Sequence, residues 1–126
     1  AIPGGLDGRS FKPVIDGKDK SLRDSIFMSY GSCQRGIRDE RYKLIRYPLI
    51  NKTQFFDLQA DPDELHNLAD DTGQKERIEK MMAELAQWQK RLGDKAPLTA
   101  AEPKDPKFTP PTGDQLDALL GRWKMK

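Results

Sequence analysis

Several features are scarce in this sequence, and each scarcity excludes a class of protein. Cys33 is the single cysteine in 126 residues, so no internal disulfide can form. Cysteine content therefore does not indicate whether the protein works in an oxidising or a reducing compartment. No apolar run approaches the length of a membrane span. The opening residues, AIPGGLDGRS, have neither the basic start nor the apolar stretch of a signal peptide. We therefore expect no membrane partner, and the start at AIPGG without methionine favours a piece cut from a longer protein.

The net charge of the chain is also small. The 22 basic and 20 acidic residues leave a net charge of +2, which is too small for a nucleic-acid partner without a local basic face. The hydrophobic share of 36% is low for a compact domain of this length, and the charged share of 33% is high. The sequence therefore predicts one small domain, with part of the chain extended along its surface.

Four short segments are predicted to form β-strands, because they are rich in β-branched and aromatic residues or alternate in polarity. They are DSIFMSY at 24–30, QRGIRD at 34–39, RYKLIRY at 41–47 and TQFFDL at 53–58. The links between them, GSC, DER and PLINKT, are too short for parallel crossovers. An antiparallel meander is therefore predicted.

A long amphipathic helix is predicted from Gly73 to Leu92. Its apolar side chains recur at three- and four-residue steps and form one stripe: Ile78, Met81, Met82, Leu85, Trp88 and Leu92. The predicted fold class is α+β, with this helix packed on one face of the four-stranded antiparallel sheet. We expect contacts between Trp88, Leu85 and Met81 on the helix and Ile26, Ile37, Leu44 or Ile45, and Phe55 or Phe56 on the sheet.

The chain divides into three parts on composition. Residues 1–20 hold four glycines and two prolines and are predicted to be a linker of turns and loop. Residues 21–93 carry the strands and the long helix and form the predicted domain. Residues 94–126 begin as an extended proline-rich segment and end in a short helix, GDQLDALLGRWK.

The acidic stretch FFDLQADPDELHNLA, residues 55–69, has the spacing of a helix start. Asp61 is predicted as an N-cap, Pro62 as the first helical residue and Glu64 as a side chain that reaches back to the cap. A calcium loop counted from Asp57 fails, because Pro62 stands where the turn requires glycine and Leu68 where it requires glutamate. We predict a structural role for this stretch and no metal site.

No catalytic constellation is present in the sequence. Cys33 lies in a predicted hairpin turn and His66 in the acidic stretch, and no serine elbow or glycine-rich phosphate loop occurs. A basic stripe runs through the second and third strands: Arg35, Arg38, Arg41, Lys43 and Arg46. Strand alternation divides it between two faces, which leaves two interpretations open. The stripe is a solvated sheet edge with scattered ion pairs, or one or two arginines bind sulfate, phosphate or carboxylate.

Five segments in order resemble the C-terminal subdomain of type I sulfatases, the formylglycine-dependent, arylsulfatase-like family. They are GRSFKPVIDGK, RDSIFMSY, QRGIRDERYKLIRY, FFDLQADPDELHNLAD and a helix that ends in LAQWQKRLGD. The family pattern is an arginine-bearing strand, a (R/W)YKLI strand, a (L/F)(Y/F)DL strand, a DPxExxNL turn and an amphipathic helix. The resemblance covers about residues 8–94.

The resemblance implies a larger N-terminal catalytic domain as partner. That domain holds a formylglycine, made from Cys or Ser in (C/S)xPxR, and a calcium ion. In CQRGI, Arg35 replaces the proline, so Cys33 does not match the nucleophile, and no cofactor is expected in this chain. The resemblance also implies that the domain walls the pocket for a sulfated small molecule or glycan, with Ser32, Gln34, Arg35 and Arg38 as candidate wall residues.

Two alternatives remain at this stage. The chain is a free-standing module that binds an anion or sugar through its arginine strands, or a purely structural cap. The residues do not identify the compartment, and for a parent sulfatase we expect the periplasm or secretion.

Overall fold

The computed structural model describes residues 8–107 and 109–124, so residues 1–7 of the predicted linker lie outside the described residues. Its centre is a four-stranded antiparallel sheet of β1 Ile26–Tyr30, β2 Gln34–Arg38, β3 Tyr42–Tyr47 and β4 Lys52–Asp57. The spatial order is β1-β2-β3-β4. The described helices are α1 Lys12–Ile15, α2 Lys75–Leu92 and α3 Gly113–Lys124. The predicted fold class is confirmed.

One row of side chains across the sheet forms the core against α2. The cross-strand pairs Phe27–Ile37, Ile37–Leu44 and Leu44–Phe55 align this row, because residues directly opposite in an antiparallel pair point to the same face. The buried cluster consists of Ile37, Tyr42, Leu44, Phe55, Met81 and Leu85, with Phe27, Ile78, Met82 and Trp88 packed at its margin. We call this side of the sheet the covered face and the other side the open face.

The expected core contact of Ile26 is wrong. Ile26 lies opposite Arg38, on the open face, and is 53% exposed. Its neighbour Phe27 takes the covered-face position, because a one-residue shift in a strand moves a side chain to the other face. Of the alternatives Leu44 or Ile45, and Phe55 or Phe56, it is Leu44 and Phe55 that lie on the covered face.

Helix α2 begins after a single 3₁₀ turn, Thr72–Gln74. The Asp71 carboxylate accepts the N–H of Gly73 at 2.8 Å and so satisfies one of the unpaired donors of this turn. The helix ends at Gly93, which adopts φ +69°, and its N–H bonds to the carbonyls of Gln89 and Lys90. The long helix of the sequence prediction is therefore present, two residues shorter at its start.

The DPDELHNL segment protects the free edge of β4. The Asn67 side-chain oxygen accepts the outward N–H of Phe55 at 2.9 Å, and the N–H of Leu68 donates to the Phe55 carbonyl at 2.8 Å. These bonds satisfy an edge position that would otherwise offer a pairing site to another strand.

The predicted helical turn at Asp61 is wrong. Residues 62–67 contain no helix, and Glu64 has φ +56°, which is outside the helical region. Instead of reaching back to Asp61, the Glu64 carboxylate pairs with Lys43 on β3. The Asp61 carboxylate accepts the N–H of His66 at 2.7 Å, and this bond is the main cause that lowers the pKa of Asp61.

The proline-rich segment after α2 is bound to the sheet. Arg46 donates to the Leu98 carbonyl at 2.7 Å, and Leu98 packs against the core. The Asn51 side chain accepts the N–H of Ala100 at 2.9 Å and donates to its carbonyl at 2.8 Å. The packed structure therefore continues past residue 93, across the end of β3 and β4.

The last helix, α3, presents apolar side chains to solvent. Leu116 and Leu120 are 46% and 51% exposed. Within the described residues, no helix combines the length and the apolar character that a membrane crossing requires.

Candidate functional site

The candidate site is built around the turn that joins β1 to β2, residues Gly31–Cys33. Gly31 has φ +48°, a conformation that glycine adopts without strain, and the N–H of Cys33 donates to the Tyr30 carbonyl at 3.0 Å. Both Ser32 and Cys33 are exposed. The turn is therefore a tight, solvent-facing tip at one end of the sheet.

Arg35 lies just behind this tip, on the covered face, and is 7% exposed. Its Nε and a terminal nitrogen bind the two Asp94 oxygens at 2.6 and 3.2 Å. Its other terminal nitrogen donates to the Gly31 carbonyl at 2.6 Å and the Gln34 carbonyl at 2.7 Å. One guanidinium therefore joins the turn to the residue that follows α2.

Asp94 is the acceptor that holds this arginine. Hydrogen bonds from Arg35, then from the Gln89 amide at 2.9 Å, hold the pKa of the Asp94 carboxyl well below its usual range. The carboxylate is thus charged at neutral pH, and the bidentate geometry gives the pair a defined orientation. Arg35 has its donors directed to protein acceptors, and its bond to the Gly31 carbonyl attaches it to the turn.

Gln34 lies on the open face, half buried, beside a shallow hollow of about 170 Å³. The hollow is lined by Met28, Ser29, Tyr30, Gln34, Gly36, Lys43 and Ile45. Gly36 lines it without a side chain, and a methyl group there would stand 3.1 Å from both the Leu44 carbonyl and the Met28 terminal methyl. Tyr30 is 73% exposed at its rim.

Arg38 stands at the other end of β2, exposed and on the same open face as Gln34. The four-residue separation along the strand corresponds to about 13 Å. The structure therefore brings Ser32, Gln34 and Arg35 together at the turn and leaves Arg38 apart from them. Opposite Arg38 on β3 is Lys43, whose ammonium is paired with Glu64 at 2.6 Å.

The two interpretations of the basic stripe can now be compared residue by residue. Four of its members have protein partners: Arg35 with Asp94, Arg41 with Asp57, Lys43 with Glu64, and Arg46 with the Leu98 carbonyl. Among the described residues, none pairs with the Arg38 guanidinium. Arg38 is therefore the member of the stripe whose charge is available to a ligand.

The acidic side chains of the described residues do not form a calcium centre. Within the described residues, no group of three or more histidine, cysteine, aspartate or glutamate side chains could hold a metal ion. Three carboxylates of residues 55–64 have separate partners: Asp57 pairs with Arg41, Glu64 pairs with Lys43, and Asp61 accepts the N–H of His66. The residues present therefore do not fit the calcium site of a sulfatase, and Cys33 in CQRGI does not fit its formylglycine position.

Sequence reasoning missed Gly36 and the Lys43–Glu64 pair. A glycine inside a predicted strand was the available signal for Gly36, because such a glycine marks a close approach or a missing side chain on a face. Glu64 had a competing explanation as a helix cap, and no sequence signal linked it to a lysine 21 residues away.

Comparison with known proteins places these features in a family. The sequence profile described as "N-sulphoglucosamine sulphohydrolase, C-terminal" matches residues 1–91. An ulvan-active sulfatase of Formosa agariphila is 30% identical over an alignment 130 residues long. The alignment covers 74% of this chain and 26% of that protein. An N-acetylglucosamine-6-O-sulfatase of Bacteroides thetaiotaomicron is 29% identical over 108 residues, 76% of this chain and 19% of that protein.

A solved structure has the same fold. It is a complex with the substrate D-glucosamine-2-N,6-O-disulfate, and it superposes with a TM-score of 0.67 at 24% identity over 78% of this chain and 22% of its own. The chain thus spans about a quarter or less of the length of these relatives. With the family profile matching most of its length, the chain belongs to the N-sulphoglucosamine sulphohydrolase C-terminal family and is a sulfatase C-terminal domain.

Proposed function

We propose that this domain walls the substrate pocket of a sulfuric ester hydrolase whose N-terminal catalytic domain supplies the formylglycine nucleophile and the calcium ion. The substrate class is a sulfated glycan or sulfated small molecule. The observation that carries the proposal is the exposed Gly31–Cys33 turn, which a buried arginine holds in place. The domain supports and shapes the site and does not catalyse hydrolysis alone.

The four wall residues have different roles in this proposal. Ser32 at the tip and Gln34 beside the hollow offer a hydroxyl and an amide, which suit the hydroxyl and ring oxygens of a sugar. Arg38 offers a charged, planar donor set for a sulfate or carboxylate farther along the open face. Arg35 acts through the turn, by fixing the Gly31 carbonyl and thereby the direction in which Ser32 points.

The relatives support the substrate class. One is named as active on ulvan, another as a sulfatase of N-acetylglucosamine, and the neighbour of the same fold holds a disulfated glucosamine. About three quarters of the first relative lies outside the part that this chain matches. A separate catalytic domain upstream is consistent with that proportion.

The test uses the full-length sulfatase that contains this domain and two substrates, a sulfated oligosaccharide and a small aryl sulfate. Replacing Arg38 with glutamine should lower kcat/KM on the oligosaccharide by about tenfold and leave the aryl sulfate unchanged, because remote contacts affect only substrates that reach them. Gln34→Ala should act in the same direction. Lys52→Gln is the matched control, since Lys52 is an exposed cation of the open face on β4.

Equal losses on both substrates would contradict a wall role and indicate an effect on the catalytic centre. Unchanged kinetics on both substrates for Arg38→Gln and Gln34→Ala would indicate a structural cap. For Arg35, a positioning role predicts that Arg35→Lys raises KM for the oligosaccharide more than it lowers kcat. A loss of kcat alone would contradict it.

A further inference from the structure

A cleft of about 430 Å³ lies between the segment before β1 and the outer side of α2. It sits at the β1 end that is opposite the Gly31–Cys33 turn, because Ser25 in its wall directly precedes β1. Its lining is mostly polar and includes Arg9, Asp24 and Ser25 on one side and Glu84, Trp88 and Arg91 on the helix.

A hydrogen-bond network holds the two walls at a fixed separation. The Trp88 indole N–H donates to the Ser25 hydroxyl at 2.9 Å, and that hydroxyl donates to the Glu84 carboxylate. Ser25 is buried and Trp88 is half buried, so both side chains are held by packing as well. The cleft is therefore formed before any ligand enters it, and the cost of ordering it on binding is small.

Arg91 lies over the Trp88 ring at the edge of this cleft. The carbon of its guanidinium lies 4.3 Å from the centre of the Trp88 ring, a cation–π arrangement that helps to order the group. Among the described residues, none accepts a hydrogen bond from this guanidinium. On the opposite wall, Arg9 makes one long bond among the described residues, 3.3 Å to the Leu22 carbonyl, which leaves most of its donors without a described acceptor.

Carboxylates also line the cleft and restrict the ligand. Asp24 is exposed, and the Glu84 carboxylate has one oxygen bound to Ser25 and one available. Two carboxylates disfavour a polyanion, but they accept hydrogen bonds from hydroxyl groups. Arginine donors combined with carboxylate acceptors suit a ligand that carries one anionic group and several hydroxyls.

We infer that this cleft binds a single sugar unit that bears a sulfate or carboxylate group. Arg9 and Arg91 bind the anionic group from the two walls, and Asp24 and Glu84 accept hydrogen bonds from ring hydroxyls. The site is independent of the wall role of the Gly31–Cys33 turn, and it gives the domain a second contact with an acidic glycan.

The experiment is an NMR titration of the 126-residue chain, with the Trp88 indole N–H as the reporter and Trp123→Phe to assign it. The probes are glucose 6-sulfate, glucuronate, glucose and sodium sulfate. Saturable shifts are expected with the first two probes, whereas glucose and sodium sulfate should each bind about tenfold more weakly, because each lacks one half of the contacts. Comparing glucose 6-sulfate with glucuronate shows whether the site prefers a sulfated sugar or a uronic acid.

Variants locate the site. Arg91→Gln and Arg9→Gln should each weaken binding of the acidic sugar by about tenfold, and Lys90→Gln, which removes a neighbouring exposed charge outside the cleft, should change it less than twofold. The inference is overturned if neither acidic sugar gives a saturable shift up to about 50 mM. It is equally overturned if Arg91→Gln binds like the parent chain, or if sodium sulfate alone binds as well as glucose 6-sulfate.

Discussion

Arg35 and Arg38 lie three residues apart on one strand, and they have opposite surroundings. Arg35 points to the covered face, is 7% exposed and binds Asp94 and two backbone carbonyls. Arg38 points to the open face, is exposed and lies opposite another cation, Lys43. The residue type is the same, so the face decides whether an arginine holds the fold or remains available for a ligand.

The comparison extends to the whole sheet. The covered face carries the buried row and two arginines, Arg35 and Arg46, that bind the chain after α2. The open face carries the buried Phe56, the exposed side chains of Ile26 and Tyr30, a hollow lined by Gly36, and Arg38, which pairs with no described residue. Stability therefore depends mainly on the covered face, and recognition in our proposal depends on the open one.

The largest expected difference between the faces concerns apolar side chains. Leu85 is fully buried against the covered face, so Leu85→Ala should lower the free energy of unfolding by about 3 kcal/mol through lost burial and a cavity. Ile26, 53% exposed on the open face, is the matched site, and Ile26→Ala should cost less than about 1 kcal/mol. Urea denaturation of both variants measures this, and equal costs would contradict the division into faces.

The second expected difference concerns the two arginines. Arg35→Met should lower the free energy of unfolding by about 2 kcal/mol, because the Asp94 carboxylate loses its charged partner and the Gly31 carbonyl loses the arginine donor, although Gln89 still donates to Asp94. Arg38→Met should change it by less than about 0.5 kcal/mol, since no described residue loses a partner and a positive charge opposite Lys43 is removed.

A double-mutant cycle checks the cause of the Arg35 effect. If the Asp94 ion pair is responsible, Asp94→Asn should reduce the additional cost of Arg35→Met. Additive effects of the two changes would assign the loss to packing of the arginine stem.

The third prediction concerns the loss of stability at acidic pH. Hydrogen bonds from Arg41, followed by those from the backbone N–H groups of Ala60 and Gln59, lower the pKa of Asp57 to about 2, and Asp94 is also lowered. Both values lie below the unfolded value of about 3.9. The stability that these carboxylates contribute is present above pH 4 and is lost as the pH falls toward the folded values, because the unfolded chain then binds more protons.

The melting temperature should therefore decline between pH 4 and pH 2 by more than it does between pH 7 and pH 5. Asp94→Asn should have a lower melting temperature at pH 7 and a shallower decline between pH 4 and pH 2, because residue 94 no longer titrates in that range. A decline of the same steepness in this variant would contradict the assignment to Asp94.

Most of the fold follows from local sequence, and most of the candidate site does not. The strands and α2 could be predicted because alternation, short links and apolar spacing act within a few residues. Arg35 could be placed on a face by the same alternation, but its partner Asp94 is 59 residues away, and no local rule connects them. At Glu64 a tertiary ion pair with Lys43 prevailed over the capping pattern of the local sequence.

The smallest expected effect tests the hollow on the open face. Gly36 has no positive φ, so alanine fits its backbone and reduces the entropy of the unfolded chain, a gain of about 0.5 kcal/mol. The new methyl group would stand 3.1 Å from the Met28 side chain, which can move, and from the Leu44 carbonyl, which the β2–β3 pairing restrains. We expect the steric cost to prevail and Gly36→Ala to lower stability by about 0.5 kcal/mol.

Gly31→Ala is the matched comparison, because Gly31 has open space around its Cα and a φ of +48°. Its expected loss, about 1 kcal/mol, is conformational in origin, so it should not depend on the neighbouring side chains. Shortening Met28 to alanine should then abolish part of the Gly36→Ala loss and leave the Gly31→Ala loss unchanged. If Gly36→Ala raises the melting temperature, the hollow has more room than the structure gives it, and the open face tolerates side chains where our proposal places substrate.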